Sequence, residues 1–311
     1  MSYWAWPERF RLLDRIVSET KCRIILSNIA VSGFLSKVFM KRYRILSFDF
    51  DSRASSLTPV KDEWDDTVKE NHINNYKNTV EGLSSQYGSS QLNAKITNFV
   101  AMGNKPFSVS AFHNKFLEQA RNAFVIGSYY PALTGACALG ERILNQLMLV
   151  LRTYHSDKPE YKKVYRKSSF DYWPLVIDTL ESWGELLPEA AEAFRKLNVM
   201  RNKAIHFNPE TDTNDRELAL EAICTVQDIV NIQFSVFGEQ PWSFSTPGEV
   251  YIKREWESKP LIKHIFIPNC CYVGYKHRVK TILPSVTISD EHEYVDNPVT
   301  DEEFVVLRTN R

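Results

Sequence analysis

Between Phe107 and Phe237 apolar side chains recur every three or four positions, as one face of an α-helix requires. Phe112, Phe116, Ala120, Ala123 and Phe124 form a first stripe, and Gly127 is its stop. Tyr129-Tyr130-Pro131 opens a second helix, proline being tolerated in a first turn; Leu133, Ala136, Cys137, Gly140, Ile143, Leu144 and Leu147 line it. A shorter aromatic-rich helix is predicted over 169–183. Leu187-Pro188 starts a fourth, with Ala190, Ala193, Phe194, Leu197, Ala204 and Ile205 on one side. Asp215 opens the last, carrying Ala219, Ala222, Ile223, Val226, Ile229 and Val230. The pattern predicts a bundle of four to five helices.

The flanks read differently. Before the bundle, helices are predicted over 9–17, 29–40, 62–83 and 93–102, with a Ser-, Asp- and Pro-rich connector over 51–59. Residues 43–50 fit a short strand or a helix end equally well. Lys41-Arg42-Tyr43-Arg44 reads as a solvated basic face or as an RNA contact. Gly103-Asn104-Lys105-Pro106 is the best candidate boundary. After Gly238 come short β-rich runs over 250–256, 261–267, 271–275, 279–283 and 304–307, separated by Pro, Asn, Asp and Gly. The expected fold is therefore mainly α. It has a mostly helical N-terminal region over 1–105, a helical bundle over 106–238 and a small antiparallel β appendage over 239–311.

Composition narrows the function classes. The chain of 311 residues is 43% hydrophobic, enough for a core, and its formal net charge is zero. No global field draws it to nucleic acid, so any such contact must be local. The start, Met1-Ser2-Tyr3-Trp4, lacks the basic-then-apolar order of a leader. The longest apolar-leaning stretch, 24–39, is too short and too polar to span a membrane. Five cysteines, two of them (Cys137 and Cys224) on helical stripes, fit a reducing cytoplasm. His264, Cys270, Cys271 and His277 invite a zinc site but lack the Cys-x2-Cys spacing that structural zinc favours. No metal or cofactor is expected.

The sharpest chemical signal is Arg201-Asn202-Lys203-Ala204-Ile205-His206, at the end of the fourth helix and before Asn208-Pro209. At 100° per residue Arg201 falls near the middle of the apolar stripe, and a guanidinium there needs a partner or an anionic ligand. Asn202 and His206, four apart, share a face. The structural alternatives are a buried Arg–Glu packing pair and a helix-terminal His favoured by the macrodipole.

The second bundle helix, Gly127-Ser128-Tyr129-Tyr130-Pro131 through Glu141-Arg142, followed about sixty residues later by Arg-Asn-x3-His at a helix end, resembles the HEPN superfamily over roughly residues 107–237. The resemblance implies a helical bundle. It also implies a metal-independent endoribonuclease whose two motifs meet across a homodimer, in a toxin or an antiviral abortive-infection effector. Arg201 and His206 would be its catalytic pair, Asn202 the polar neighbour, and Glu141 the acidic partner of the motif. One subgroup carries a modified Tyr two residues after the His; here that place is Asn208, which argues against such regulation.

Those residues suit RNA chemistry. RNA carries its own nucleophile, the 2′-hydroxyl, and a His of pKa about 6.5 can move a proton at either end of the reaction near neutral pH. An Arg supplies fixed charge and forked donors to the phosphate. One motif offers one good acid or base, so two copies are expected to pair. Arg152, Lys162, Lys163, Arg166 and Lys167, interleaved with Tyr154, Tyr161 and Tyr165, suit single-stranded RNA. They equally suit an exposed loop with its tyrosines folded inward. A phage or host trigger, or a regulatory partner, is expected to control the activity. The rival reading is a catalytically silent bundle serving as a ligand-binding or assembly module; a third is an RNA-binding protein without cleavage.

Overall fold

The longest apolar stripe becomes the axis of the structure. In the computed structural model the described residues are 40–205, 213–237, 240–281, 286–294 and 297–311. The helix expected over 9–17, and all but the last residue of that over 29–40, lie outside them. Strands β1 (Lys41–Ile45) and β2 (Phe48–Asp51) come first, then helices α1 (Asp66–Tyr87) and α2 (Leu92–Ala101), then β3 (Lys105–Val109). The bundle helices follow: α3 (Phe112–Val125), α4 (Tyr129–Leu151), α5 (Trp173–Ser182), α6 (Pro188–Ile205) and α7 (Asp215–Phe234). The chain continues through β4 (Ser243–Thr246), β5 (Glu249–Ile252), β6 (Cys270–Gly274), β7 (Arg278–Thr281) and β8 (Thr287–Ser289), and ends in α8 (Asp301–Thr309). The molecule is mainly helical, with a small antiparallel sheet region toward the C-terminus.

Helix α4 packs against α3, α5, α6 and α7, and buries Ala132, Ala136, Ile143, Leu147 and Leu151 completely. Small residues at 132 and 136 take little room against the neighbouring helices, and larger ones further along fill the interior. No helix among the described residues is long and apolar enough to cross a membrane.

The strands do not follow the expected three-part division. The four-stranded sheet has the order β4-β5-β1-β6, so β1 lies between two strands from beyond residue 238. Arg44 is opposite Tyr251 on one side and Cys271 on the other. Strand β3 crosses the boundary expected at 105, pairing Val109 with Phe48 of β2 and bridging Ser108 to Ser235 beyond α7. Leu83, Phe99 and Met102 share one apolar cluster with the bundle and with Ile252, Ile262 and Phe266.

Further expectations need correcting. Residues 304–307 are not a strand but part of α8: Thr300 Oγ1 accepts from the Glu303 amide, and the Glu303 carboxylate accepts from the Thr300 amide. This reciprocal cap outweighs the short apolar run. Residues 261–267 are likewise helical, a π turn over Ile262–Phe266 that buries Ile262, Ile265 and Phe266. Their i, i+3, i+4 spacing is too brief to separate from a strand by pattern. Residues 43–50 resolve into two strands, with Leu46 and Ser47 between them.

The basic run 41–44 is neither solvated nor an RNA face. In a strand, residues two apart share a face, and Arg42 and Arg44 turn inward beneath α8. Arg42 donates to Asp301 at 2.6 Å and to the Val299 carbonyl at 2.5 Å, and lies over the Phe304 ring. Arg44 lies 2.9 Å from Glu249, which also takes two bonds from Arg308 and one from the Tyr251 hydroxyl. Burial alone would raise the Glu249 carboxyl, but the Arg308 and Tyr251 hydrogen bonds and the Arg44 and Arg308 charges pull it down to about 2. Arg44 also meets His277 Nε2 at 2.7 Å, while His277 Nδ1 lies 2.7 Å from the Gly274 carbonyl. A guanidinium only donates. Nε2 must therefore carry the lone pair and Nδ1 the proton, and the buried imidazole is neutral. Burial, reinforced by the charges of Arg308 and Arg44, lowers His277 to about 4.

This arrangement fixes the sign of a pH dependence. An unfolded histidine takes its proton near pH 6.5, whereas His277 in the fold resists protonation until about 4. Its contribution is complete above pH 6.5 and is lost as pH falls through that window. Urea unfolding at pH 5 should show a native state weaker than at pH 7 by on the order of 1–2 kcal/mol from this residue. His277→Gln should shrink the difference, leaving the part due to His113, which burial lowers to about 3. Wild-type stability that is level or rising from pH 7 to 5 would contradict a neutral buried His277.

Candidate functional site

The site begins at a glycine. A Cβ on Gly140 of α4 would lie 2.4 Å from the Leu197 side chain of α6 and 2.8 Å from the Trp173 ring of α5. Only a bare Cα lets the three helices meet there. The next residue, Glu141, then stands opposite the last turn of α6. Its Oε2 accepts from Arg201 Nε at 3.0 Å and lies 2.9 Å from Arg201 Nη2. Trp173 Nε1 donates to the same oxygen at 3.4 Å, and the Arg201 guanidinium carbon lies 5.8 Å from the centre of that indole. Asn202 Oδ1 accepts from Arg201 Nη1 at 3.4 Å.

Three side chains named from the sequence, Arg201, Asn202 and Glu141, are thus together. The fourth, His206, lies outside the described residues, just beyond the end of α6. Arg201 is displaced from the middle of the apolar stripe to its edge. Leu197 and Ala204 are buried, whereas the Arg201 and Glu141 side chains keep 21% and 35% of their exposure. An ion pair this accessible adds little stability, of order 0–1 kcal/mol. Its consequence is geometric: a long, flexible side chain is held in one rotamer, with its Nη1 edge toward the exposed Asn202. One turn before Glu141, burial pushes the Cys137 thiol up to about 12 against the opposing charge of Arg201. That thiol is no nucleophile at neutral pH.

Sequence reasoning gave Trp173 no role. It lies in the predicted aromatic-rich helix, but nothing in its spacing shows that the indole underlies Arg201 and bonds its partner. Asn145, one turn beyond Glu141, adds a second tie. It donates to the Phe170 carbonyl at 2.9 Å and accepts from the Phe170 amide at 2.7 Å, fastening the approach to α5 onto α4.

The basic segment splits into two kinds of residue. Arg152 turns back, donating to the Val164 carbonyl at 2.8 Å and the Lys167 carbonyl at 2.5 Å, and so brackets the loop. Val164 anchors it in the core. Lys162, Lys163, Arg166 and Lys167 are exposed. The tyrosines divide as well. Tyr161 packs on the core and stacks on Tyr165 at 5.5 Å, Tyr165 is exposed beneath Arg166, and Tyr154 bonds His264 at 2.5 Å. His264 is thereby engaged by Tyr154, and the Cys270 thiol donates to the Phe266 carbonyl. Among the described residues no three His, Cys, Asp or Glu are grouped to hold a metal ion.

No family model, curated protein or solved structure matches the chain. What the site can do chemically follows from its own groups. Arg201 offers a permanent positive charge with directed donors, Glu141 and Trp173 orient it, and Asn202 adds an amide beside it. Groups of these kinds suit an oxyanion such as a phosphodiester.

The close helix contact is testable on its own. Gly140→Ala should lower the unfolding free energy by about 1–3 kcal/mol through overpacking, read as a lower urea midpoint at unchanged slope. A neutral or stabilising result would mean that α4, α5 and α6 do not approach as closely as the Glu141–Arg201–Trp173 arrangement requires.

Proposed function

We propose that the chain is a metal-independent endoribonuclease of the HEPN type that works as a homodimer. The observation carrying this reading is the contact between Arg201 and Glu141, residues sixty apart in sequence. It gives the motif arginine the acidic partner that the resemblance implies. Around it stand packed helices and the exposed amide of Asn202, and the loop after α4 carries a run of exposed cations.

In the proposed reaction the 2′-hydroxyl attacks the adjacent phosphorus and the 5′-oxygen departs. His206 of one copy removes the proton from the nucleophile, and its twin returns one to the leaving group. Arg201 stabilises the charge that builds on the non-bridging oxygens, already aligned before substrate arrives. Asn202 orients the phosphate or the imidazole. Exposed Lys162, Lys163, Arg166 and Lys167 hold the strand by its backbone; Arg152 supports their loop rather than touching RNA. The activity is that of a toxin or antiviral effector in the cytoplasm, restrained until a phage or host trigger or a partner releases it. The rival reading, a silent bundle that binds a ligand or assembles with others, draws on Trp173: an arginine bonded to Glu141 and seated on an indole also ties α4 to α5 and α6.

Expression of wild type should be toxic and should degrade RNA with EDTA present or absent, whereas Arg201→Ala and His206→Ala should be harmless. A harmless wild type that leaves RNA intact and matches both variants would end the enzyme reading. Replacing Lys162 and Lys163 by Ala should flatten the salt dependence of single-stranded RNA binding by roughly 1.4 in log–log slope, two phosphate contacts at about 0.7 each. An unchanged slope would remove the loop from the interface.

A further inference from the structure

Four phenylalanine rings gather on one face of the β2–β3 ribbon. Phe50 stacks on Phe107 with ring centres 4.0 Å apart, and Phe237, just beyond α7, meets Phe107 at 5.3 Å and Phe48 at 5.7 Å, both edge-on. Three of the four keep much of their surface in water: 36% for Phe48, 44% for Phe50 and 46% for Phe237. Residues two apart share a face of a strand. Phe48 and Phe50 therefore stand side by side, while Asp49 between them pairs with the buried Lys105. The backbone beside the rings offers a second set of contacts. Ser110 donates to the Ser47 carbonyl across the ribbon. Antiparallel alternation then points the N–H and C=O of Phe48 away from β3. The irregularity between Asp49 and Asp51 puts its extra residue in β3, so Phe50 keeps the same outward direction. Among the described residues no strand pairs with this outer edge of β2. The far edge of β3, by contrast, is met by Ser235 and Val236.

Rings and edge together describe the occupant. At roughly 200 Å² per phenylalanine, the three exposed rings offer on the order of 250 Å². A stable interface between folded proteins buries about 800 Å² per partner, so this face suits one short extended segment. That segment must carry apolar side chains two apart, to meet Phe48 and Phe50 on one face, and backbone groups to pair with an open edge. The chain holds such a segment outside the described residues, which begin at Met40. Trp4-Ala5-Trp6-Pro7 sets two indoles two apart with a small residue between them. Pro7 biases Trp6 toward extended backbone. More than thirty residues separate Trp6 from Met40, ample reach at roughly 3.3 Å each. We propose that Trp4-Ala5-Trp6 adds a third strand to the outer edge of β2 of its own chain, with its indoles against Phe48 and Phe50. The proposal does not rest on the nuclease reading, because it uses no residue of the Glu141–Arg201 site.

Photo-crosslinking in the full chain tests it. With p-benzoylphenylalanine in place of Phe50, irradiation should give a product of monomer mass in which position 50 is joined to the peptide bearing Trp4 and Trp6. A product of dimer mass would assign the face to a second copy and overturn the proposal. So would a crosslink to any other segment, or none. Hydrogen exchange reads the same strand without a probe. The Phe48 and Phe50 amides should exchange at least tenfold faster in the double variant Trp4→Ser, Trp6→Ser than in wild type. Phe10→Ser, an aromatic loss outside the pair, should leave them within twofold. Far-ultraviolet circular dichroism shows that each variant is folded. Wild-type amides already exchanging at the rate of an open chain, or an equal gain in Phe10→Ser, would contradict the added strand.

Discussion

Arginine keeps its charge at every accessible pH, so each guanidinium drawn out of water must meet an acceptor or a carboxylate. Much of this molecule's geometry follows from that constraint. Arg42 joins β1 to the start of α8 through Asp301, and Arg44 joins it to Glu249 of β5 and to a neutral His277. Arg121 ties α3 to Gln227 of α7 and to the Gly103 carbonyl. Arg201 ties α6 to Glu141 of α4 across the Trp173 indole. The first three are enclosed, and removing a partner would strand a buried charge at a cost of several kcal/mol. Arg201 differs in being only partly buried: its charge is aligned by the protein and keeps some contact with solvent.

That difference separates scaffold from candidate chemistry. The enclosed arginines point into the fold and meet their partners there, so they hold elements together rather than face solvent. At Arg201 the Nε and Nη2 side faces Glu141, and the Nη1 side faces an exposed amide. Gly140 makes the arrangement possible by letting α4 touch α5 and α6 just before the acidic residue. Seen this way, the Glu141–Arg201 pair matters less for its stability than for holding a flexible side chain in one arrangement.

The bundle was legible because its signal is local and repeated. Gly127, Pro131, Pro188 and Asp215 mark helix ends, and the stripe from Leu133 to Leu147 runs long enough for its period to be unambiguous. The sheet was not legible, because the partners of β1 lie some two hundred residues away and a strand with inward arginines imitates a solvated face. Residues 261–267 and 304–307 are apolar runs too short to show a period, and at the latter a capping box at Thr300 and Glu303 decided the outcome. The candidate site was half legible. Arg201, Asn202 and Glu141 were named from the motif and its resemblance, but the Trp173 indole beneath them comes from packing that no spacing encodes. Arg152, grouped with the loop lysines by composition, is spent on two backbone carbonyls.

The nucleophile separates the account from every reading in which Arg201 is only structural. A defined oligoribonucleotide incubated with the purified protein should be compared with the same strand carrying a single 2′-deoxy substitution at the cut position. The account predicts a 2′,3′-cyclic phosphate on the first strand and no cut at the substituted position of the second. Equal cutting of both strands, or 3′-hydroxyl ends on the first, would contradict it.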